Sequence, residues 1–175
     1  MAVADLGDEA GVVITKRPDT MVHHRGDWVF PGGGMDEARD RHSMDTARRE
    51  AEEELGVPAE AVEIVGQLFS RGPIPSGYIL DVYVGIIRAG TDVLHDPNEV
   101  SEVATIAFSQ LARDGVYSRR WTMPDHDNGP AAAGFVGVPE TFGALKFFTI
   151  RDDEWLWGMQ GDIAYELMRH LYSVE

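Results

Sequence analysis

The amino-acid sequence predicts a mixed α/β domain in which short strands are interleaved with two amphipathic helices. Two observations predict this fold class: β-branched runs recur along the chain, and two stretches carry apolar residues at spacings of three and four. With 175 residues, of which 43% are hydrophobic and 26% are charged, the chain is long enough to bury a core. We therefore expect a single domain over residues 1–175.

The predicted strands are short apolar runs bounded by turn residues. Residues 11–15 form the first run, which ends at the basic pair Lys16 and Arg17. A second run, residues 28–30, stops at Pro31 and three successive glycines, which is a strong loop signal. Further strands are expected at residues 62–69, 78–87 and 103–108.

The first predicted helix covers residues 43–55. Its helical spacing is carried by four apolar residues, Met44, Ala47, Ala51 and Leu55. Ser43 is the expected N-cap, because a serine hydroxyl can accept a hydrogen bond from an unpaired backbone N–H of the first turn. Gly56 stands where the end of a helix favours a residue with positive φ.

The second predicted helix lies near the C-terminus, where one face collects Ile163, Ala164, Leu167, Met168 and Leu171. Between the last predicted strand and this helix, the sequence around 118–143 is rich in glycine, proline and alanine. We interpret that segment as a long loop of the same domain. Long loops in compact domains often carry substrate contacts.

The charge balance narrows the possible partners. Thirty acidic and fifteen basic side chains give a formal net charge of -15, so the protein repels phosphate backbones and anionic membranes. We expect no binding to nucleic acid or to membranes. A polyanionic small substrate would need a cation between it and this protein, and a divalent metal ion is the simplest one.

Cysteine usage and hydropathy point to the cellular setting. The sequence contains no cysteine, which excludes disulfides, thiolate metal sites and a cysteine nucleophile. No stretch approaches the ~18 apolar residues of a membrane span, and acidic residues interrupt the N-terminus before any signal-peptide core. These features predict a soluble, cytoplasmic protein.

The stretch REAEEELG, residues 49–56, concentrates four glutamates in the first helix. Glu50, Glu53 and Glu54 share one helical face, where like charges are mildly unfavourable unless a cation binds them. Carboxylate oxygens suit Mg²⁺ or Mn²⁺. The alternative is a solvated acidic face with surface pairs from Arg48 to Glu52 and from Arg49 to Glu53.

The segment GGGMDEARDRHSMDTARREAEEELGV resembles the Nudix box, and residues 49–57 match its last nine positions. The front half departs from the pattern by one residue. Arg41 stands at the position of the isolated glutamate, with Asp40 one place earlier, and Met35 stands at the position of the glycine, with Gly34 one place earlier.

A one-residue insertion explains both shifts. With this insertion, the segment resembles the coenzyme A diphosphatases of the Nudix superfamily. Their pattern of an FPGG segment followed by two aspartates resembles residues 30–33 with Asp36 and Asp40. Their upstream signature is similar to residues 13–33, although Pro18 and Val22 replace a small residue and an arginine. The resemblance extends from about residue 12 to residue 171.

The resemblance implies the Nudix α/β/α sandwich with a mixed sheet and a hydrolase that uses Mg²⁺ or Mn²⁺. Glu50, Glu53 and Glu54 would bind the metal with a backbone carbonyl of Gly33 or Gly34, of which Gly34 is preferred. Arg49 would orient a glutamate. The remaining expected site residues contact the substrate, with Lys16 and Arg17 on phosphate and Gly32 and Gly33 allowing close approach.

The general base stays open among Glu50, Glu53, Glu99 and Glu102, and Glu99 is preferred because the Nudix fold often brings a carboxylate from a later loop to the metal. The alternative for Glu99 and Glu102 is two solvated loop charges.

His23 and His24 are interpreted as polar loop residues, and Trp155 and Trp157 as core residues.

Three functions are consistent with the sequence. The first is cleavage of coenzyme A or an acyl-coenzyme A to 3′,5′-ADP and 4′-phosphopantetheine. The second is hydrolysis of another nucleotide derivative, such as a nucleotide sugar, a dinucleotide or a modified nucleoside triphosphate. The third is a non-catalytic binding module, against which the complete set of acidic residues counts. A homodimer is the default expectation.

Overall fold

The computed structural model describes residues 1–21, 24–73, 77–120, 145–151 and 153–172. These residues form two compact units. The first unit comprises Met1–Thr15 and Phe30–Ala107, and the second comprises Lys16–Val29 and Phe108–Glu175. The single domain over 1–175 stays a prediction.

The strands and helices follow one another along the chain. The strands are β1 (Ala2–Asp5), β2 (Ala10–Lys16), β3 (Trp28–Val29), β4 (Val62–Arg71), β5 (Leu80–Ile87), β6 (Glu102–Ala107), β7 (Tyr117–Arg120), β8 (Leu145–Arg151) and β9 (Glu154–Trp157). The helices are α1 (Ser43–Leu55), α2 (Phe108–Leu111) and α3 (Met159–Tyr172), with a 3₁₀ turn at Ala59–Ala61.

The sheet of the first unit is mixed, as the sequence predicted. Its strands run in the order β2-β1-β5-β4, and β6 also pairs with β2. Strand β1 pairs antiparallel with β2 and parallel with β5, while β4 and β5 are antiparallel. The predicted strands 62–69, 78–87 and 103–108 are confirmed as β4, β5 and β6 with shifted ends. The expected start of β5 was two residues early, because Tyr78 and Ile79 are exposed and precede the paired segment.

Helix α1 has the predicted bounds, 43–55, and packs on the sheet of the first unit through a small apolar face. Ala51 and Leu55 are buried in a cluster with Val13, Val57 and Ile87. Complete burial of a leucine such as Leu55 contributes about 1.5–3 kcal/mol to folding. The core therefore holds the helix on the sheet and leaves its other side for polar groups.

The expected N-cap at Ser43 is wrong by one residue. His42 precedes the helix with extended backbone, φ -159° and ψ 165°, and makes no side-chain cap hydrogen bond. Ser43 is the first helical residue, and its hydroxyl lies 2.9 Å from the hydroxyl of Tyr83. The partner on the sheet decides this arrangement, since a local pattern contains no information about Tyr83.

The predicted ending at Gly56 is confirmed. Gly56 has φ 64°, and its N–H donates to the carbonyl of Glu52. The N–H of Leu94 donates to the carbonyl of Leu55 at 2.9 Å. Both bonds satisfy carbonyl groups that a helix end otherwise leaves unpaired.

The second unit contains an antiparallel sheet in the order β7-β8-β9, with α3 packed on β8 and β9. The predicted C-terminal helix is confirmed, and Ile163, Ala164, Leu167 and Met168 are buried. Leu171 was wrongly assigned to the apolar face, because its relative exposure is 47% near the end of the helix. The interpretation of Trp157 as a packing residue agrees with its stacking on Phe147, with ring centroids 6.5 Å apart.

The predicted loop around 118–143 begins inside β7, so residues 118–120 are strand rather than loop. Its remainder lies outside the described residues. Among the described helices, none combines the length and the hydropathy that a membrane-spanning segment requires.

Candidate active site

The glutamates of REAEEELG occupy the second half of α1, where their charge is unfavourable for an isolated helix. Glu52, Glu53 and Glu54 lie in the last turn, which contains no basic residue. The carbonyl end of a helix dipole is negative, so carboxylates there are repelled. Cationic partners from outside the last turn must therefore offset this charge.

Arg49 is the first of these partners and joins three carboxylates. Its guanidinium donates to Glu50 Oε1 at 2.7 Å and to Glu53 Oε2 at 2.6 Å from Nη1. From Nε and Nη2 it donates to both oxygens of Asp40, at 2.9–3.3 Å. We call Asp40, Glu50 and Glu53 the acid cluster. The pair from Arg49 to Glu53 that the alternative named is present, but Arg49 has only 12% side-chain exposure, so its guanidinium is not solvated like a surface residue.

Asp40 anchors Arg49 from the loop that precedes the helix. The residue is buried, with 5% relative exposure, and also accepts hydrogen bonds from the N–H of Asp36 and the hydroxyl of Thr46, both at 2.9 Å. The hydrogen bonds from Arg49 hold the pKa of Asp40 well below its usual range, and the same bonds raise the pKa of Arg49. Asp40 therefore stays ionised and fixes the position of the guanidinium.

The glycine loop meets the helix at this point. The carbonyl oxygen of Gly34 accepts a hydrogen bond from Arg49 Nη2 at 2.9 Å. A Cβ at Gly33 would lie 2.5 Å from Glu50 Oε1 and 2.6 Å from Glu50 Cδ. Only glycine gives the Glu50 carboxylate this close approach to the backbone. The structure thus brings together Gly33, Gly34, Glu50 and Arg49, and the roles that the resemblance implies for them stay predictions.

A second cation at the site, Arg39, was not predicted from the sequence. Its Nη1 donates to Glu53 Oε1 at 2.6 Å, and its side chain is 57% exposed. Hydrogen bonds from Arg39 first and from Arg49 second lower the pKa of Glu53, although burial opposes the shift. The one available signal was its position between Asp36 and Asp40, within the segment that carries the one-residue insertion.

The chemistry of the site fits a divalent cation. Two carboxylates, from Glu50 and Glu53, and the carbonyl of Gly34 converge on one guanidinium, so three hard oxygen donors already surround a positive charge. The described residues contain no preformed group of three histidine, aspartate or glutamate side chains with metal-binding geometry. A metal at this site would compete with the guanidinium groups for the Glu50 and Glu53 carboxylates, and the metal assignment stays a prediction.

The other residues predicted for the first unit lie as follows. Glu54 is partly buried one turn beyond Glu50, and Gly32 precedes Gly33 in the loop. Glu99 is exposed in a turn where its N–H donates to the carbonyl of Asp96 at 3.0 Å. Among the hydrogen bonds of the described chain, none joins Glu99 to the acid cluster, so its role as a base stays a prediction.

The predicted phosphate contacts, Lys16 and Arg17, belong to the second unit. Lys16 forms an ion pair with Glu154, which also accepts a hydrogen bond from Trp28 Nε1 at 2.9 Å. Arg17 Nε is buried without a hydrogen-bond acceptor in the part of the chain that the structure describes. Neither arrangement tests a role in phosphate binding.

His24 also belongs to the second unit. His24 Nδ1 lies 2.9 Å from Asp27 Oδ2, and Asp27 Oδ1 accepts a hydrogen bond from Trp157 Nε1 at 3.3 Å. His24 is thus part of a polar turn, in line with its interpretation from sequence. His23 lies outside the described residues.

An open cavity of about 550 Å³ lies beside the acid cluster. The loop before α1 lines it, through Met35, Glu37, Ala38, Arg39, Asp40 and Arg41. Arg41, at the position of the isolated glutamate of the Nudix box, is 84% exposed and pairs with Asp45 at 3.1 Å. Among the described contacts, none joins Arg41 to the acid cluster.

Comparison with known proteins identifies the family. The NUDIX domain family matches residues 1–126. Two bacterial relatives, both called uncharacterized Nudix hydrolase NudL, are 35% identical to this chain: the Photorhabdus laumondii protein over 57% of this chain and 52% of its own length, and the Escherichia coli K12 protein over 62% and 56%. The chain thus spans about half the length of the curated relatives it matches.

A likeness to a solved structure supports the fold. A MutT/nudix family protein from Enterococcus faecalis superposes with a TM-score of 0.56 at 19% sequence identity. The match covers 98% of this chain and 60% of the other one. The predicted α/β fold of the Nudix type, with its mixed sheet, is therefore confirmed.

Proposed function

The chain belongs to the Nudix family, and from this premise we propose that it hydrolyses the diphosphate linkage of nucleoside diphosphate derivatives with Mg²⁺ or Mn²⁺. The observation that carries the proposal is the convergence of Glu50, Glu53 and the Gly34 carbonyl on one positive charge. The same helix continues with Glu54, which adds a third carboxylate to this helical face. Carboxylates gathered in this way suit a divalent ion and disfavour direct contact with a bare diphosphate.

Each residue of the site has a proposed task. Glu50, Glu53 and Glu54 hold the cation together with the Gly34 carbonyl, and Arg49 orients Glu50 and Glu53 because Asp40 fixes its guanidinium. The chemistry that a divalent cation supplies when bound here is neutralisation of the diphosphate and acidification of a water molecule. Glu99, or a glutamate of α1, accepts the proton from that water. Lys16 and Arg17 contact substrate phosphate, and Gly32 and Gly33 admit the substrate close to the backbone.

Coenzyme A or an acyl-coenzyme A is the substrate that we propose, cleaved to 3′,5′-ADP and 4′-phosphopantetheine. The support is the resemblance of residues 13–33 to the coenzyme A diphosphatase signature and the position of Asp40. In the structure Asp40 bonds Arg49, which gives the displaced acidic residue a defined place in the site. Pro18 and Val22, which depart from the signature, favour the second candidate, another nucleotide derivative.

A substrate panel tests the proposal. Coenzyme A, acyl-coenzyme A, nucleotide sugars, dinucleotides and modified nucleoside triphosphates would be incubated with Mg²⁺ or Mn²⁺, and the products identified by mass spectrometry. We expect the highest kcat/KM for coenzyme A compounds, with release of 3′,5′-ADP. A higher kcat/KM for another compound selects the second function, and no turnover of any compound contradicts the hydrolase. The homodimer and the cytoplasmic location stay predictions from the sequence.

Neutral replacement of the proposed metal ligands tests the site itself. Glu53→Gln and Glu54→Gln each remove one charge with little change of volume, so we expect turnover to fall at least about 100-fold while the fold is retained. Glu52→Gln is the matched control, because Glu52 is exposed on another side of the same helix turn. Wild-type activity in Glu54→Gln would show that this helical face does not bind the metal.

A further inference from the structure

Glu53 differs from the other carboxylates of the acid cluster because two arginines hold it, one on each oxygen. Arg39 Nη1 lies 2.6 Å from Oε1, and Arg49 Nη1 lies 2.6 Å from Oε2. A cation that binds Glu53 therefore competes with a guanidinium at either oxygen. The two arginines are not equally easy to displace.

Arg49 is held by many contacts. It bonds Asp40, Glu50 and the carbonyl of Gly34 besides Glu53, and it is 12% exposed. The side chain of Arg39 is 57% exposed and bonds Glu53 alone among the contacts of the described residues. An exposed ion pair of this kind contributes about 0.2–1 kcal/mol, so Arg39 is the weaker competitor for Glu53.

The surroundings of Arg39 favour an anionic partner once Glu53 is occupied. Arg39 lines the open cavity of about 550 Å³ beside the acid cluster. Of the other charged residues that line it, Asp40 is bonded to Arg49, Arg41 is paired with Asp45, and Glu37 is an exposed carboxylate. A released Arg39 guanidinium would lie beside the proposed cation site, where the oxygens of a phosphate, which match a guanidinium, compete only with the solvated Glu37 for its donors.

We propose that Arg39 is a substrate-binding residue that changes partners: it neutralises Glu53 in the metal-free protein and binds a phosphate oxygen of the diphosphate substrate when Glu53 holds a divalent cation. This inference rests on the proposed function, since it assigns a contact to the same substrate. The exchange couples the two binding events. The cation frees Arg39, and the freed arginine strengthens the binding of the diphosphate.

The first test measures Mn²⁺ binding to the metal-free protein by titration calorimetry, without substrate. Arg39→Gln removes the competitor for Glu53, so we expect Mn²⁺ to bind about two- to fivefold more tightly than to the wild type. Arg41→Gln is the matched control, because it removes the same charge from the same loop and does not touch Glu53. Equal affinity in Arg39→Gln and the wild type, or an equal gain in Arg41→Gln, would overturn the partner exchange.

The second test uses methylenediphosphonate, a diphosphate that cannot be hydrolysed, at saturating Mn²⁺. We expect its affinity to fall about tenfold or more in Arg39→Gln, as for the loss of a hydrogen bond between charged groups, and to be unchanged in Arg41→Gln. Arg39→Lys should recover part of this affinity. Unchanged binding to Arg39→Gln, or no binding to the wild type, would contradict the contact.

The two tests distinguish an error in the role of Arg39 from an error in the proposed function. Both tests measure binding, so they decide the role of Arg39 even when no compound of the substrate panel is turned over. Where turnover is observed, KM of Arg39→Gln should rise about tenfold while kcat stays within about threefold, as expected for loss of a binding contact. Circular dichroism of each variant verifies the fold, which the replacement of so exposed a side chain should leave intact.

Discussion

At the scale of single residues, the site depends on how closely the glycine loop approaches Glu50. Gly33 and Gly34 are adjacent, yet only Gly33 leaves no room for a Cβ, because the Glu50 carboxylate occupies that space. A Cβ at Gly34 would meet no heavy atom within 4 Å. The two glycines therefore provide a matched pair.

Gly33→Ala should displace the Glu50 carboxylate and reduce kcat/KM about 10- to 100-fold, because small errors in the position of catalytic groups are costly. Gly34→Ala should stay within about threefold of the wild type, since its Cβ would occupy open space and its carbonyl is retained. Steady-state kinetics of both variants provide the measurement. Equal losses in the two variants would contradict a specific contact with Glu50.

Asp40 links the site to the pH dependence of stability. Its pKa is depressed by Arg49, so the folded protein keeps Asp40 ionised at pH values where the unfolded chain binds a proton. The stabilisation is fully present above the unfolded pKa of about 3.9, and it is lost as the pH falls from there towards the folded pKa.

Asp40→Asn should therefore be less stable than the wild type by a constant amount from pH 7 to about pH 5, and the difference should shrink below about pH 4. Urea unfolding at a series of pH values measures the free energy of unfolding of both proteins. A difference that stays constant down to pH 3 would show that the Asp40 carboxylate is not preferentially ionised in the fold.

Whether a contact of the site could be predicted from the sequence depends on how far apart its two residues lie along the chain. The common face of Glu50, Glu53 and Glu54 follows from helical spacing, so the sequence sufficed to predict it. The bonds from Arg49 to Asp40 and Gly34 span 9 and 15 residues across an irregular loop, and that from Arg39 to Glu53 spans 14. No periodic rule applies to such a loop, which is why Arg39 was missed.

At the scale of elements, the end of α1 sets the position of its last-turn glutamates. Gly56 combines a positive φ of 64° with a close approach to the 93–94 segment, where a Cβ would overlap the carbonyl oxygen of Leu94. Both features require glycine. The ending of the helix is thus supported by its own sequence and by a segment nearly forty residues later.

Gly56→Ala should lower the free energy of unfolding by more than about 2 kcal/mol, through the left-handed backbone and the overlap together. Gly90→Ala is the control, because Gly90 has φ 78° but a Cβ there would meet no heavy atom within 4 Å, so about 1 kcal/mol is expected. Urea unfolding measures both. Equal destabilisation would show that the contact with Leu94 is unimportant.

Elements were predictable where they carry their own pattern. Helix α1, strand β2 and the C-terminal helix were placed from periodicity and turn residues, and their existence is confirmed. Strands β1, β7, β8 and β9 were missed, since strand formation depends on the partners with which a segment pairs, and a local pattern does not show them. The Ser43 cap failed for the same reason, because its hydroxyl contacts Tyr83 on the sheet.

At the scale of the whole molecule, the net charge of -15 sets the response to ions. Repulsion among surplus carboxylates destabilises the compact state, and any salt screens it. A divalent ion bound at the acid cluster, as proposed, would add a specific stabilisation, because binding to the folded state alone stabilises by about 2.7 kcal/mol at a concentration 100 times Kd.

Sodium chloride should therefore raise Tm modestly in the wild type and in Glu53→Gln alike. Mn²⁺ at matched ionic strength should raise Tm further in the wild type, and this increment should be lost or strongly reduced in Glu53→Gln. Differential scanning calorimetry measures both effects. An identical response of the two proteins to Mn²⁺ would place the ion elsewhere.

The sequence by itself determined the family, the bounds of α1 and the face that gathers its glutamates, because these properties depend on residue types at short, regular spacings. The tertiary structure decided which cations meet that face: Arg49 through buried Asp40, and Arg39 through the irregular loop before the helix. Those contacts depend on the path of a non-periodic segment across the helix. Only the packed fold, in which Gly33 and Gly34 lie against Glu50 and Arg49, specifies that path.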